Sequence, residues 1–224
     1  MTDMHLPRSA TMPKQHWSTW VGILGLGSAI ILVLLHLLKP DLAPTARFVS
    51  EYATGDYSWL GRVLFFVSGA AIFCVGLAYR DRGAGKLVTA GAWLHLFGGA
   101  VMFIAGFFAM DPMGTPADQM TMHGQVHSLT GMVGIPVVPI AALVLAIGLW
   151  RRGAPNRALL LGGALVAIAS LVALQVRIVS IMSASPDAFP MDSDVGTYNR
   201  LWFVGLYAWL AAVWFTGRSS GQRS

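Results

Sequence analysis

The sequence predicts an all-α polytopic membrane protein: a six-helix transmembrane bundle with both termini in the cytoplasm. Three observations predict it. Of the 224 residues, 55% are apolar or aromatic and only 11% are charged, whereas a soluble domain carries about 25% charged residues. Six stretches approach the roughly 20 apolar residues that a bilayer-crossing helix needs. The charged residues between those stretches sort by sign. A mean hydropathy of +0.63 also excludes a disordered chain, which needs low hydrophobicity and high charge.

The six spans are read as residues 17–38, 59–79, 87–109, 127–150, 158–182 and 201–216. They form one transmembrane domain over 17–217, with tails at 1–16 and 218–224. The last span is short and recruits Arg200 and Arg218 as snorkelling ends. Trp17, Trp20, Tyr57, Trp59, Tyr79, Trp150, Tyr198 and Trp202 sit near span ends, as interfacial aromatics do. The first span is too long for the apolar core of a signal peptide, and Pro44 spoils the small-residue cleavage site at Ala43–Ala46, so it reads as retained. Pro136 and Pro139 are expected to kink the fourth span.

Orientation follows from the loops. Arg8, Lys14, Arg80, Arg82, Lys86, Arg151, Arg152, Arg157, Arg218 and Arg223 fall on one side if the spans alternate. Asp41, Glu51, Asp56, Asp111, Asp118, Asp187, Asp192 and Asp194 fall on the other. The positive-inside rule then places the basic side in the cytoplasm of an inner cell membrane. The net charge of +5 is therefore a topology signal, and no nucleic-acid partner is expected. The single cysteine, Cys74, excludes an intramolecular disulfide and a CxxC metal knuckle. The small-residue face Gly22, Gly25, Ala29 suits packing within the bundle or between chains, so a homo-oligomer and a partner membrane subunit both stay open.

Ionisable groups inside a bilayer are costly and mark function by default. Arg62 lies one turn into the second span from the outer side. Arg177 lies about one and a half turns below the outer end of the fifth. His36 is near the outer end of the first span, and His127 opens the fourth. Only His95 lies deep. The inner half reads as almost purely apolar, which argues against an ion pathway and places any chemistry outside. Bland readings stand beside this one. Arg62 and Arg177 can snorkel to headgroups or pair with Glu51, Asp56 or Asp111. His95, flanked by Gly91, Gly98 and Gly99, can serve one interhelical hydrogen bond.

His123 and His127, four residues apart, share a face if the fourth helix starts before His123. With Asp111 they have the makings of a zinc site with an open position. Met110, Met113, Met120 and Met122 in the same stretch raise copper as a weaker alternative. No cofactor follows with certainty. GxSxG, GxxxxGK[ST], HExxH and GxGxxG are all absent.

The segment Val49-Ser50-Glu51-Tyr52-Ala53-Thr54-Gly55-Asp56-Tyr57-Ser58-Trp59-Leu60 resembles the first signature of the domain of unknown function 998 family. Asp111-Pro112, followed by Thr121-Met122-His123-Gly124-Gln125-Val126-His127, resembles its second. The first loop is also distantly similar to the DRAM-type family of six-span proteins. The resemblance implies an uncharacterised prokaryotic membrane protein in which Ser50, Glu51, Gly55, Asp111, His123, Gly124 and His127 occupy motif positions. It supports one outward pocket at headgroup level, and the pocket expected here comprises Ser50, Glu51, Arg62, Asp111, His127 and Arg177.

Three functions compete. The first is binding of a membrane lipid headgroup or small amphiphile without chemistry, with the arginines holding a phosphate or carboxylate. The second is a zinc-dependent intramembrane lipid hydrolase using His123, His127 and Asp111. The third is a structural subunit. The sequence favours the first and leaves enzymatic activity undecided.

Overall fold

Within a bilayer no water satisfies the backbone, so each apolar run must close its own hydrogen bonds as a helix. The computed structural model describes residues 13–80, 85–185 and 189–221. Expectations for Arg8, Arg82, Asp187, Arg223 and the outermost tails lie outside the described residues. The helices are α1 (Gln15–Leu38), α2 (Ser58–Tyr79), α3 (Lys86–Ala105), α4 (Met122–Arg151), α5 (Arg157–Ala184) and α6 (Val195–Gly221). Two short 3₁₀ turns, Val49–Ala53 and Ala117–Gln119, lie in the connections, and there is no strand among the described residues. Helices α1 to α5 are each long and apolar enough to cross a membrane. The chain is thus a polytopic helical bundle.

The ends differ from the expected spans in physically simple ways. Helix α3 stops at Ala105, four residues early, where Gly106 and Phe107 turn back onto Phe103 and Ile104. Helix α4 starts five residues early because Thr121 caps it, its hydroxyl accepting from the Gly124 N–H at 3.1 Å. Helix α6 is not short: its 27 residues extend back to Val195 through polar Asn199 and Arg200. Helix α4 runs unbroken through Pro136 and Pro139.

Sequence neighbours are spatial neighbours, and α6 returns to α1 to close the ring while also touching α2 and α4. The connections collect at two ends. Lys14 N–H donates to Ala78 O at 3.1 Å and Asn156 Nδ2 donates to Ser219 Oγ at 2.7 Å at one end. Thr197 N–H donates to Thr45 O at 3.0 Å at the other. The first end carries Lys14, Arg80, Lys86, Arg151, Arg152, Arg157 and Arg218; the second carries Asp41, Glu51, Asp56, Asp111, Asp118, Asp192 and Asp194. We call them the basic and the acidic end.

Glycines set the closest helix contacts. A Cβ at Gly69 of α2 would lie 2.7 Å from Phe103 N, and one at Gly99 of α3 would lie 2.6 Å from Phe73 N. The α2 and α3 backbones therefore touch directly, which lipid cannot disfavour and dispersion rewards. Gly91 admits Leu145 of α4 in the same way, with Leu145 Cβ 2.7 Å from the added atom.

Helix α6 supplies polar stitches to the others. Trp209 Nε1 donates to His95 Nε2 at 2.9 Å, which leaves His95 Nδ1–H to donate to Gly91 O at 2.7 Å. His95 is thereby a satisfied core histidine linking α3 to α6. Ser28, Ser68 and Tyr207 form a buried hydroxyl cluster joining α1, α2 and α6, with oxygens 2.6 and 3.1 Å apart. The bundle interior is thus less uniformly apolar than the sequence implies.

Trp202 Nε1 donates to Ile135 O at 3.0 Å. Pro139 has no N–H, so the carbonyl four residues before it loses its helical partner; that carbonyl is Ile135's, and the indole replaces the missing donor. Trp202→Phe is expected to cost about 1 kcal/mol beyond its lost packing, in the range of interhelical hydrogen bonds in membranes. In a Pro139→Ala background the backbone regains an N–H at that position, which serves Ile135 O, and the increment is expected to vanish. A double-mutant cycle of thermal unfolding in detergent reads it; a coupling of zero would show that the bond is idle.

Candidate functional site

The α1–α2 connection is a packed plug rather than an open loop. Helix α1 ends at Leu38, and the chain then turns through residues 39–57. Phe48 N–H donates to Glu51 Oε1 at 2.9 Å and Thr54 Oγ1 donates to Glu51 O at 2.7 Å, so Glu51 closes the Val49–Ala53 turn from within. Gly55 and Tyr57 take left-handed backbones, φ 60° and 55°, to bring the chain into α2. Gly61 lets the Tyr52 carbonyl rest on α2, where a Cβ would overlap it. Gly196 does the same for Pro44 on α6, its added Cβ lying 2.5 Å from Pro44 O. Val49 N–H donates to Asn199 Oδ1 at 2.8 Å.

Two cations clamp this plug by its carbonyls. Lys39, buried, donates from Nζ to Thr54 O and, at 3.5 Å, to Tyr52 O. Arg200 donates to Arg47 O, to Tyr52 Oη at 3.0 Å and from Nε to His36 Nε2 at 3.2 Å, while its guanidinium lies 5.3 Å from the Tyr52 ring centroid. His36 must then carry its proton on Nδ1, which donates to Leu32 O at 2.6 Å. Glu51 pairs with Arg47 at 3.2 Å. Burial pushes the Glu51 carboxyl above the usual range, opposed by the Phe48 N–H bond and by Arg47 and Arg200. Burial likewise raises the Tyr52 phenol against the pull of Arg200.

Beside the plug is a cleft of about 250 Å³ lined by Leu38, Lys39, Asp41, Leu42, Thr54, Gly55, Asp56 and Tyr57. Asp41 and Asp56 are exposed, whereas the lysine is buried. Leu38 and Tyr57 are 40% and 47% exposed, so apolar surface accompanies the carboxylates at the opening.

The second motif forms the start of α4. Asp111 Oδ2 accepts from Thr121 N–H at 2.7 Å and Oδ1 from Thr121 Oγ1 at 2.8 Å. This places a carboxylate at a helix N-terminus, where the dipole favours it. Gly124 is required beneath it, because a Cβ there would overlap Asp111 Oδ2. His127 is buried, donates from Nδ1 to Phe108 O at 2.8 Å and meets Phe65 edge-on at 5.7 Å. His123 is exposed and packs on the Phe108 ring at 5.4 Å.

Of the six expected pocket residues, the structure joins the two motif loops but does not gather all six side chains. Ser50 Oγ donates to Met110 Sδ at 2.9 Å, directly beside Asp111. Glu51 is inside the plug. Arg62 is exposed on α2, and Arg177 pairs instead with Asp194. His123 and His127 do lie on one helix, but both Asp111 oxygens are committed to Thr121. Among the described residues no group of three or more His, Cys, Asp or Glu is placed to share an ion. The methionines are likewise divided: Met110 meets Ser50, Met113 is buried and Met122 is exposed. Among the described residues the donor set expected for zinc therefore does not converge.

Sequence reasoning missed Lys39, Tyr52, Asn199 and Arg200 as site-forming residues. Arg200 reads locally as a snorkelling end of the last span. Its one available signal is that it stands within a polar turn, Tyr198-Asn199-Arg200, that the helix absorbs.

The fold and this end of the bundle define a helical multi-pass membrane protein whose two motifs build one capped, plugged face. The chain belongs to the family described as protein of unknown function (DUF998), which matches residues 23–216. No curated protein and no solved structure matches the chain, and the comparisons do not carry the DRAM-type likeness.

Proposed function

We propose that this protein crosses the inner cell membrane six times, with its basic end in the cytoplasm, and holds a zwitterionic lipid headgroup at its acidic end without chemistry. The basic and acidic ends support the orientation through the positive-inside rule. The 27 residues of α6 make about 40 Å of helix, long enough for a sixth span. The observation that carries the ligand is the cleft between α1 and α2. It is lined by the buried Lys39, by the exposed Asp41 and Asp56, and by the exposed apolar surface of Leu38 and Tyr57. An ammonium group fits the carboxylates, a phosphate fits the lysine, and acyl chains pass out over the apolar surface. Its volume suits a headgroup, being below the roughly 300–1,000 Å³ of pockets that enclose whole small molecules.

The test is native mass spectrometry of the full chain in micelles titrated with dioleoyl-phosphatidylethanolamine. One lipid is expected to stay bound, and Asp41→Asn/Asp56→Asn is expected to weaken it about five- to tenfold, as two partly exposed ion pairs would. Failure of the wild type to retain this lipid, or equal retention by the double variant, overturns the reading.

A further inference from the structure

We propose that the basic end carries a second lipid site, selective for an anionic phospholipid headgroup, at the corner where α4 ends, α5 begins and α6 ends. Arg157 lies over the Trp150 ring with its guanidinium carbon 4.9 Å from the centroid, and Arg218 lies over Trp214 at 5.2 Å. The Asn156–Ser219 hydrogen bond, 2.7 Å long, ties the residues next to these two arginines together, so the start of α5 meets the end of α6 here. Arg151, Arg157 and Arg218 are all exposed. Among the described residues every Asp and Glu lies at the acidic end, so no described carboxylate competes for these guanidinium groups.

The stacking matters because of what it leaves free. A guanidinium held face-on to an indole keeps its N–H edge available in a planar fork, which matches phosphate oxygens. Two such forks, one from the start of α5 and one from the end of α6, with the exposed Arg151 at the end of α4, concentrate positive charge at this end of the bundle. The same two helices also expose apolar surface: Leu159 and Phe215 are 46% and 52% exposed, and Gly162 of α5 has open space where a side chain would stand. That notch gives an acyl chain a place against the helix. A soluble phosphate would use only the forks; a phospholipid uses both features. This site is remote from the α1–α2 cleft and does not rest on it.

The experiment is native mass spectrometry of the full chain in micelles titrated with dioleoyl-phosphatidylglycerol, with dioleoyl-phosphatidylcholine as the zwitterionic, net-neutral comparison. The wild type is expected to retain phosphatidylglycerol preferentially. A basic residue at a membrane surface is worth roughly a fivefold factor toward anionic lipid, so Arg157→Gln/Arg218→Gln is expected to lose roughly 25-fold. Arg62→Gln, exposed at the opposite end, is expected to change it less than about twofold. Equal retention of the two lipids by Asp41→Asn/Asp56→Asn, in which the α1–α2 cleft is weakened, or undiminished retention of phosphatidylglycerol by the arginine double variant, overturns the proposal. Glycerol 1-phosphate competing as strongly as the lipid would reduce the site to a phosphate site and overturn it as well. Should the double variant not fold, the wild type decides: retention must fall at least about tenfold between roughly 50 and 500 mM ammonium acetate, and salt-insensitive retention overturns it. Asp41→Asn/Asp56→Asn is expected to leave phosphatidylglycerol binding intact, so the two lipid sites fail or stand separately.

Discussion

Gly99→Leu is expected to abolish the folded bundle. Gly99 is the point at which α3 touches α2 backbone to backbone: an added Cβ alone would lie 2.6 Å from Phe73 N and 2.7 Å from Gly69 O. Neither atom belongs to a flexible side chain, so relief requires moving a whole helix. Separating α2 from α3 also disturbs the far side of α3, where His95 is bonded to Trp209 and Gly91 admits Leu145. Overpacking a well-filled core costs about 1–3 kcal/mol when side chains can adjust. With backbone on both sides the cost is expected to exceed about 3 kcal/mol. Purified variant protein is expected to aggregate on size exclusion, or to melt far below the wild type in detergent. Gly131→Ala is the comparison, because nothing lies within 4 Å of its added Cβ. It is expected to be neutral or to gain up to about 1 kcal/mol from reduced unfolded-state freedom. Similar melting of Gly99→Leu and wild type would show that α2 and α3 are not in direct contact.

Arg200→Ala is expected to release the α1–α2 plug while leaving the helices formed. The guanidinium bonds Arg47 O, Tyr52 Oη and His36 Nε2 at once, and it covers the Tyr52 ring. A hydrogen bond from a charged donor is worth roughly 1.5–3 kcal/mol, and the three here are not additive. A loss of about 3 kcal/mol is therefore expected, concentrated in residues 39–57. Hydrogen exchange reads it locally: the Val49 and Glu51 amides, bonded to Asn199 Oδ1 and Phe48 O, are expected to lose protection first. Arg200→Lys is not expected to rescue, because one ammonium cannot serve three divergent acceptors as a planar fork does. Arg62→Ala, exposed on α2, is expected to change stability by less than about 0.5 kcal/mol. Unchanged exchange at Val49–Ala53 in Arg200→Ala would mean that Asn199 and the two glycine contacts hold the plug without the arginine.

Residues that look alike in sequence do different work in the bundle. Arg62, Arg177 and Arg200 are all arginines near the acidic end of an apolar helix. One is exposed, one pairs with Asp194, and one clamps a buried loop. His95 and His127 are both buried histidines, yet each donates to a backbone carbonyl, and among the described residues neither belongs to a group of three or more metal-ligating side chains. The same limit explains why Glu51 and Asp111 were legible as motif positions while their work was not. Glu51 closes its own turn, and Asp111 caps the start of α4.

The sequence by itself determined the class, the helices and the partition of charge. Those properties are local: an apolar run of bilayer length must be helical wherever it lies, and a loop keeps its charges whatever the helices do. The small residues at Gly91 and Gly99 also announced close helix contacts without naming the partners. Only the tertiary structure decided which polar groups meet. Arg200 reaches His36 across 164 positions and Tyr52 across 148, Trp209 reaches His95 across 114, and Trp202 finds the carbonyl that Pro139 leaves unbonded. Such pairings depend on how each helix is rotated about its axis and how far it slides past its neighbour. A residue's own neighbours in the chain constrain neither quantity, because both are set where helices interlock.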